Sequence, residues 1–173
     1  KRPVDDVVRN LAEMVERDVT AGLRPFCVIA TIGTTSTTSI DPVPPIADIA
    51  ERYGLWLHID SAYAGSAAVI PEFQWIMEGA WRADSLVVNP HKWLMTPMDM
   101  SIFYTRRPEI LRRAFSLVPD YLKNQDDPRA INLMDYGVPL GHRFRALKFW
   151  FVLRYFGRDG LASALRSHIQ WAQ

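Results

Sequence analysis

The feature that most constrains this chain is an alternation of two kinds of text. Short runs that read as strands, at residues 25–32 (apolar and β-branched), 55–59 and 83–88, are separated by longer stretches that carry helical spacing or turn residues. The first of these, residues 25–32, reads as a strand buried on both faces, and strands separated by helical segments pair in parallel. The pattern therefore predicts an α/β fold, a mostly parallel sheet covered by helices. Val4, Val7, Val8, Leu11, Met14 and Val15 recur at helical spacing, which predicts a helix over residues 4–21 with Gly22 as its stop. Residues 45–53 read as a second helix ended by Gly54, residues 100–105 as a fourth strand and residues 108–115 as a further helix. Residues 119–138 are polar and irregular, with Asn124, Asp126, Asp127 and Pro128, and predict a long loop of the kind that forms a lid. Helical spacing returns after Gly141, along Phe144, Leu147, Phe151, Val152 and Tyr155. It is punctuated by Gly157 and Gly160 and resumes from Leu161.

Composition removes several classes of function. A chain of 173 residues with 49% hydrophobic content can bury a core. With 20 basic and 19 acidic side chains it has no overall field to attract nucleic acid or an anionic membrane. Cys27 is the only cysteine, which excludes an internal disulfide framework and a multi-cysteine zinc site and fits a reducing cytoplasm. Its place in an apolar run reads as a small buried hydrophobe. No run reaches the roughly 18 apolar residues of a membrane span, and no signal-peptide pattern opens the chain. The chain enters helical text almost directly after Lys1-Arg2-Pro3 and stops in helical text at Gln173, so it reads as a fragment of a longer enzyme.

In open α/β sheets ligands bind beyond the carboxyl ends of the strands. Three sets of polar residues fall at such ends: Thr34 and Thr35 after the first strand, Asp60 after the second, and Asn89, His91 and Lys92 after the third. An Asp and a Lys delivered from neighbouring strand ends are what pyridoxal phosphate chemistry requires. The lysine amine binds the cofactor aldehyde, and the carboxylate keeps the pyridine nitrogen protonated so that the ring can accept electrons. Each residue also has a plainer reading. Asp60 could cap the next helix, or join His58 in a metal pair, although no third ligand is evident. Lys92 could be a surface lysine, Thr35 a turn hydroxyl, Asn89 a loop cap and His91 a structural histidine.

Four separated motifs carry a family resemblance: Ala30 to Asp41 (ATIGTTSTTSID), Leu57 to Ser66 (LHIDSAYAGS), Asn89 to Leu94 (NPHKWL) and Pro139 to Gly157 (PLGHRFRALKFWFVLRYFG). In that order they resemble an internal piece of the group II pyridoxal-phosphate-dependent decarboxylases, closest to the aromatic-L-amino-acid, tyrosine and tryptophan decarboxylases. The resemblance implies a fold-type I transferase-like large domain, with residues 1–145 as its second half and residues 146–173 as the beginning of the C-terminal small domain. It implies catalytic roles for Lys92 as the cofactor lysine, Asp60 as the partner of the pyridine nitrogen and Tyr121 as a mobile-loop tyrosine. A phenol there would protonate the substrate α-carbon inside a closed, water-poor site, often across the dimer interface. Ala62 would pack its methyl on one ring face, Thr35 would lie near the ring and the substrate carboxylate, and His91 and Asn89 near the cofactor phosphate. One departure stands out: the family's common Gly-Arg-Arg reads Gly141-His142-Arg143 here, which leaves the role of the first arginine open.

The implied protein is a cytoplasmic homodimer that takes a small amino-acid substrate, with no metal, nucleic-acid or membrane partner. Its implied activity is decarboxylation of an aromatic L-amino acid to the amine and carbon dioxide. Alternatives are a decarboxylase for histidine or an acidic amino acid, an aromatic aldehyde synthase, or an inactive scaffold fragment. A Tyr rather than a Phe at position 121 favours the decarboxylase over the synthase.

Overall fold

The computed structural model describes residues 4–116 and 131–172. They form two compact units, Lys1–Tyr104 with Arg145–Gln173, and Thr105–Phe144.

The first unit opens with α1 (Val4–Thr20), which places Asp5 and Asp6 in its first turn and Arg17 in its last, each matching the helix dipole. Its inner face sets Val15, Val8, Leu11 and Ala12 against the core. After β1 (Cys27–Thr31), α2 (Val43–Tyr53) begins two residues earlier than its periodicity predicts. The reason is that Pro44 and Pro45 occupy the first turn, where a missing N–H is harmless. Gly54 ends α2 in the left-handed conformation (φ 64°, ψ 34°) and returns its N–H to the last carbonyls. Then follow β2 (Trp56–Asp60), β3 (Ser85–Val88), the single-turn α3 (Pro90–Trp93) and β4 (Ile102–Thr105). In the second unit α4 (Pro108–Phe115) packs on a 3₁₀ turn, Leu133–Tyr136, whose Asp135 is buried 4.0 Å from Arg112. The long polar stretch thus contains a short element at its described end. Returning to the first unit, α5 (Ala146–Trp171) is broken at Gly157 (φ 63°, ψ 179°), where the sequence is punctuated.

The sheet order is β1-β2-β3-β4, with β1–β2 and β2–β3 parallel. Register sets Thr31 beside Asp60 and Asp60 beside Val87. One face, bearing Ala30, Leu57 and Ile59, is sealed by Val43, Ile46, Ala47 and Ala50 of α2. The other face carries Ile29, Thr31, His58, Asp60, Ser85 and Val87 by the two-residue alternation of a strand. Among the described residues this second face is open enough that Ile29 is 60% exposed, so β1 is not buried on both sides as its composition predicts. Cys27, at the start of β1, is likewise only partly buried, and that burial pushes its thiol upward in pKa.

Three 3₁₀ segments, Ala64–Val69, Pro71–Met77 and Ala80–Arg82, link β2 to β3. The second half of α5 packs on them through Ala162 and Leu165 against Ile70, Val69 and Phe73. Glu72 and Arg166 close the outside of that contact with a two-pronged ion pair. No described helix is long and apolar enough to cross a membrane.

Candidate active site

Backbone hydrogen bonds continue past the strand ends and hold the connecting loops in register. Ile32 N–H donates to Asp60 O at 2.8 Å, Ser61 N–H to Val87 O at 3.1 Å, and Asn89 N–H to Ala62 O at 3.0 Å. Two glycines allow loops to approach this closely. A Cβ on Gly33, whose φ is +86°, would stand 2.4 Å from the Ala64 Cβ; one on Gly65 would stand 2.8 Å from both Ser61 Cβ and Oγ. The loops after β1, β2 and β3 are thereby gathered at one edge of the sheet.

Asp60 is the last residue of β2 rather than the first beyond it. Its Oδ1 accepts the Ala62 N–H at 3.0 Å, and Oδ2 has no hydrogen-bond donor among the described residues. The helix-cap reading fails, because the next 3₁₀ segment starts at Ala64 with Tyr63 at its cap and no side-chain cap bond. Among the described residues no cluster of three or more potential metal ligands is present. His58 instead pairs through Nδ1 with Ser85 Oγ at 2.8 Å and stacks on Phe103. Burial lowers its imidazole pKa, opposed by the nearby Asp60 carboxylate and a hydrogen bond at Ser85.

Lys92 sits on α3 with its side chain exposed, and its Nζ has no partner among the described residues. Its neighbour His91 accepts the Met100 N–H at Nδ1 (2.9 Å), so this histidine also ties α3 to the approach to β4. Because a backbone N–H can only donate, a neutral His91 carries its proton on Nε2. Asn89 occupies the cap position of α3, but its side chain makes no cap bond. Its Oδ1 is buried without a partner among the described residues. A half turn of the amide exchanges acceptor for donor, so the same place can serve either need. Ala62 is buried, whereas Thr35 is exposed in the turn after Gly33. It is Thr34 that organises this turn, accepting the Ser39 N–H and meeting Thr37 Oγ1. Tyr121 lies outside the described residues, and His142 is exposed in the second unit.

An acceptor oxygen on Asp60, an amine on Lys92 and an orphaned amide on Asn89 suit a group with an aldehyde and a ring N–H, and so fit pyridoxal phosphate. The family model described as the pyridoxal-dependent decarboxylase conserved domain matches residues 3–173. The chain belongs to the pyridoxal-dependent decarboxylase family. It is 46% identical to the tryptophan decarboxylase TDC2 of Camptotheca acuminata over 95% of its own length and 33% of that protein. It is also 46% identical to the aromatic-L-amino-acid decarboxylase of Mus musculus, over 92% of its length and 34% of that protein. The crystal structure of Oryza sativa TDC with PLP and tryptamine superposes with a TM-score of 0.89 at 43% identity, covering 92% of this chain and 33% of that one. The chain thus spans about a third of the length of the relatives it matches.

The decarboxylase-family motifs did not point to every side chain that shapes the site. Trp93, next to Lys92, stacks on Tyr63 with ring centroids 4.9 Å apart and planes 9° apart. Its Nε1 donates to His168 Nδ1 at 3.1 Å. Arg145 Nε pairs with Asp99 at 3.0 Å. A partner 75 positions away leaves no local signal in a sequence; only a tryptophan that needs a buried acceptor hints at one.

Proposed function

We propose that this chain supplies the lysine-bearing part of an enzyme that removes carbon dioxide from an aromatic L-amino acid. The observation that carries the reading is the delivery of Asp60 and Lys92 from neighbouring parallel strands to one edge of the sheet, in a chain whose family is the pyridoxal-dependent decarboxylases. Pyridoxal phosphate, when bound, supplies an electron sink for the pair left on the substrate α-carbon as the carboxylate departs.

In this reading Lys92 holds the cofactor aldehyde through its amine. Asp60 keeps Oδ1 on the Ala62 N–H, which limits the carboxylate's rotation, and would hold the pyridine N–H through Oδ2. Ala62 offers its methyl to one ring face. Asn89 and His91 serve the phosphate, His91 through Nε2 because Nδ1 is taken by Met100. Thr35 lies towards the ring and the substrate carboxylate. Tyr121 hands its phenolic proton to the α-carbon, so the bond lost to carbon dioxide is replaced by a bond to hydrogen. The full-length protein is a cytoplasmic homodimer, with residues 1–145 in its large domain and residues 146–173 opening its small domain. The exposed lysine and open sheet face agree with a site completed by further chain.

Borohydride reduction of the full-length protein loaded with pyridoxal phosphate, followed by peptide mapping, tests the assignment. Label on Lys92, with carbon dioxide released from tryptophan, tyrosine or 3,4-dihydroxyphenylalanine, is the expected result. Label on another lysine, or none, would sink it.

A further inference from the structure

We infer that His168 is a positioning residue for Lys92, acting through Trp93. This inference rests on the assignment of Lys92 as the cofactor lysine. α3 is a single turn, too short to hold an orientation by its own hydrogen bonds. Lys92 is exposed, and among the described residues its Nζ has no hydrogen bond or ion pair that would set its direction. Its helix must therefore be aimed by its neighbours. On one side His91 ties it to Met100. On the other Trp93 is the anchor, partly buried and packed against both hydrophobic clusters, the one under the sheet and the one between the 3₁₀ segments and α5.

Packing alone leaves an aromatic ring free to slide or flip in its slot. The indole N–H removes that freedom, because it needs one acceptor in one direction. His168 Nδ1 supplies it at 3.1 Å, from the second half of α5 where Ala162 and Leu165 are buried. The face-to-face stack with Tyr63 fixes the ring plane, while the bond to His168 fixes the rotation within that plane. Tyr63 lies with Ala62 in the loop that directly follows Asp60. One indole thus links the carboxylate's loop, the lysine's helix and α5. Since Nδ1 accepts, the proton of a neutral His168 sits on Nε2.

The test uses the full-length protein with four variants. His168→Leu removes the acceptor. His168→Asn keeps one at the same branch of the side chain. Trp93→Phe keeps a ring but loses the donor, and the double variant Trp93→Phe/His168→Leu closes a cycle. Two quantities are read: the thermal midpoint of the cofactor-free protein, and the dissociation constant and capture rate for pyridoxal phosphate at Lys92, followed by visible absorption. Positioning predicts that His168→Leu and Trp93→Phe each weaken cofactor capture about fivefold, the worth of one neutral hydrogen bond. It predicts that the double variant is no worse than either single one and that His168→Asn recovers most of the loss. A lowered midpoint with unchanged cofactor capture would reduce the contact to packing and overturn the inference, as would additive losses or no recovery in His168→Asn. If His168→Leu does not fold, Trp93→Phe and His168→Asn decide by the same readouts. Failure of the wild-type protein to take label on Lys92 brings down the functional assignment itself, and is told apart because it needs no variant.

Discussion

Leu57 and Ile59 on one face of β2 and His58 and Asp60 on the other occupy the same five residues, yet different physics governs the two sets. The first pair is sealed by α2, at 2% and 0% exposure, and every methyl group there contributes to holding the sheet on its helix. The second pair is half-buried and polar, with hydrogen bonds to Ser85 and Ala62 and room on Asp60 Oδ2 for another donor. A strand's two-residue alternation lets one short segment build the core and present the Asp60 carboxylate on the opposite face, because neighbouring side chains never share a face. Substitutions on the two faces should accordingly separate stability from chemistry.

The largest expected effect tests that separation at the neighbouring strand end. Lys92→Ala should abolish turnover, by roughly a thousandfold or more, as loss of a covalent group does. Its exposed side chain should leave the unfolding free energy within about 0.5 kcal/mol of the parent; a large stability loss would break the comparison. On β2 itself, Ile59→Ala should cost about 2–5 kcal/mol in denaturant unfolding. Asp60→Asn, one residue on, should fold normally because its amide oxygen still accepts the Ala62 N–H. It should lower turnover by about a hundredfold. If both variants lose stability equally, the two faces are not distinct.

A third contrast sharpens the role of the loops. Gly33→Ala combines a positive φ with a clash against Ala64 and should cost about 3 kcal/mol or more. Gly22→Ala has a similar φ (+79°) but no atom within 4 Å, and should cost only the backbone strain of about 1–2 kcal/mol. Equal costs in parallel thermal melts would show that the close approach at Gly33 is not what limits the site. The smallest effect belongs to the outer surface. Arg166 holds the Glu72 carboxyl at about 2, below its ordinary 4.5. The contribution of that pair to stability is therefore fully present above pH 4.5 and is lost as pH falls towards 2. Glu72→Gln should flatten that part of the acid-unfolding curve slightly, and added salt should shrink the difference, since the pair is exposed.

Much of this arrangement is legible in the chain. Residues 25–32, 55–59, 83–88 and 100–105 read as strands and locate β1 to β4, the helical spacing from Val4 locates α1, and the glycines at 54 and 157 mark where helices stop or break. Asp60 and Lys92 stand out because both polar residues follow apolar runs. What escaped notice has physical causes. The 3₁₀ segments over residues 64–82 are too short and too compact to impose a period. The single turn of α3 exists because neighbouring elements hold it, and its composition does not announce it. His168 reads as one more residue on a helix until the fold brings Trp93 to it. His58 suggested a metal pair because spacing of two places it on the face of Asp60, and only the structure reveals Ser85 as its partner.

The hydrogen bonds that run on past the strand ends have a consequence for how such a chain can vary. Ile32 and Ser61 each lean on a carbonyl of the neighbouring strand, Asn89 leans on that of Ala62, and Ala62 in turn donates its N–H to Asp60 Oδ1. The number of residues from Asp60 to Ala62 is therefore as tightly held as their identity. Inserting a single residue there would move the carbonyl that receives Asn89 by a full step along the chain, and would carry the start of α3 out of phase with Asp60.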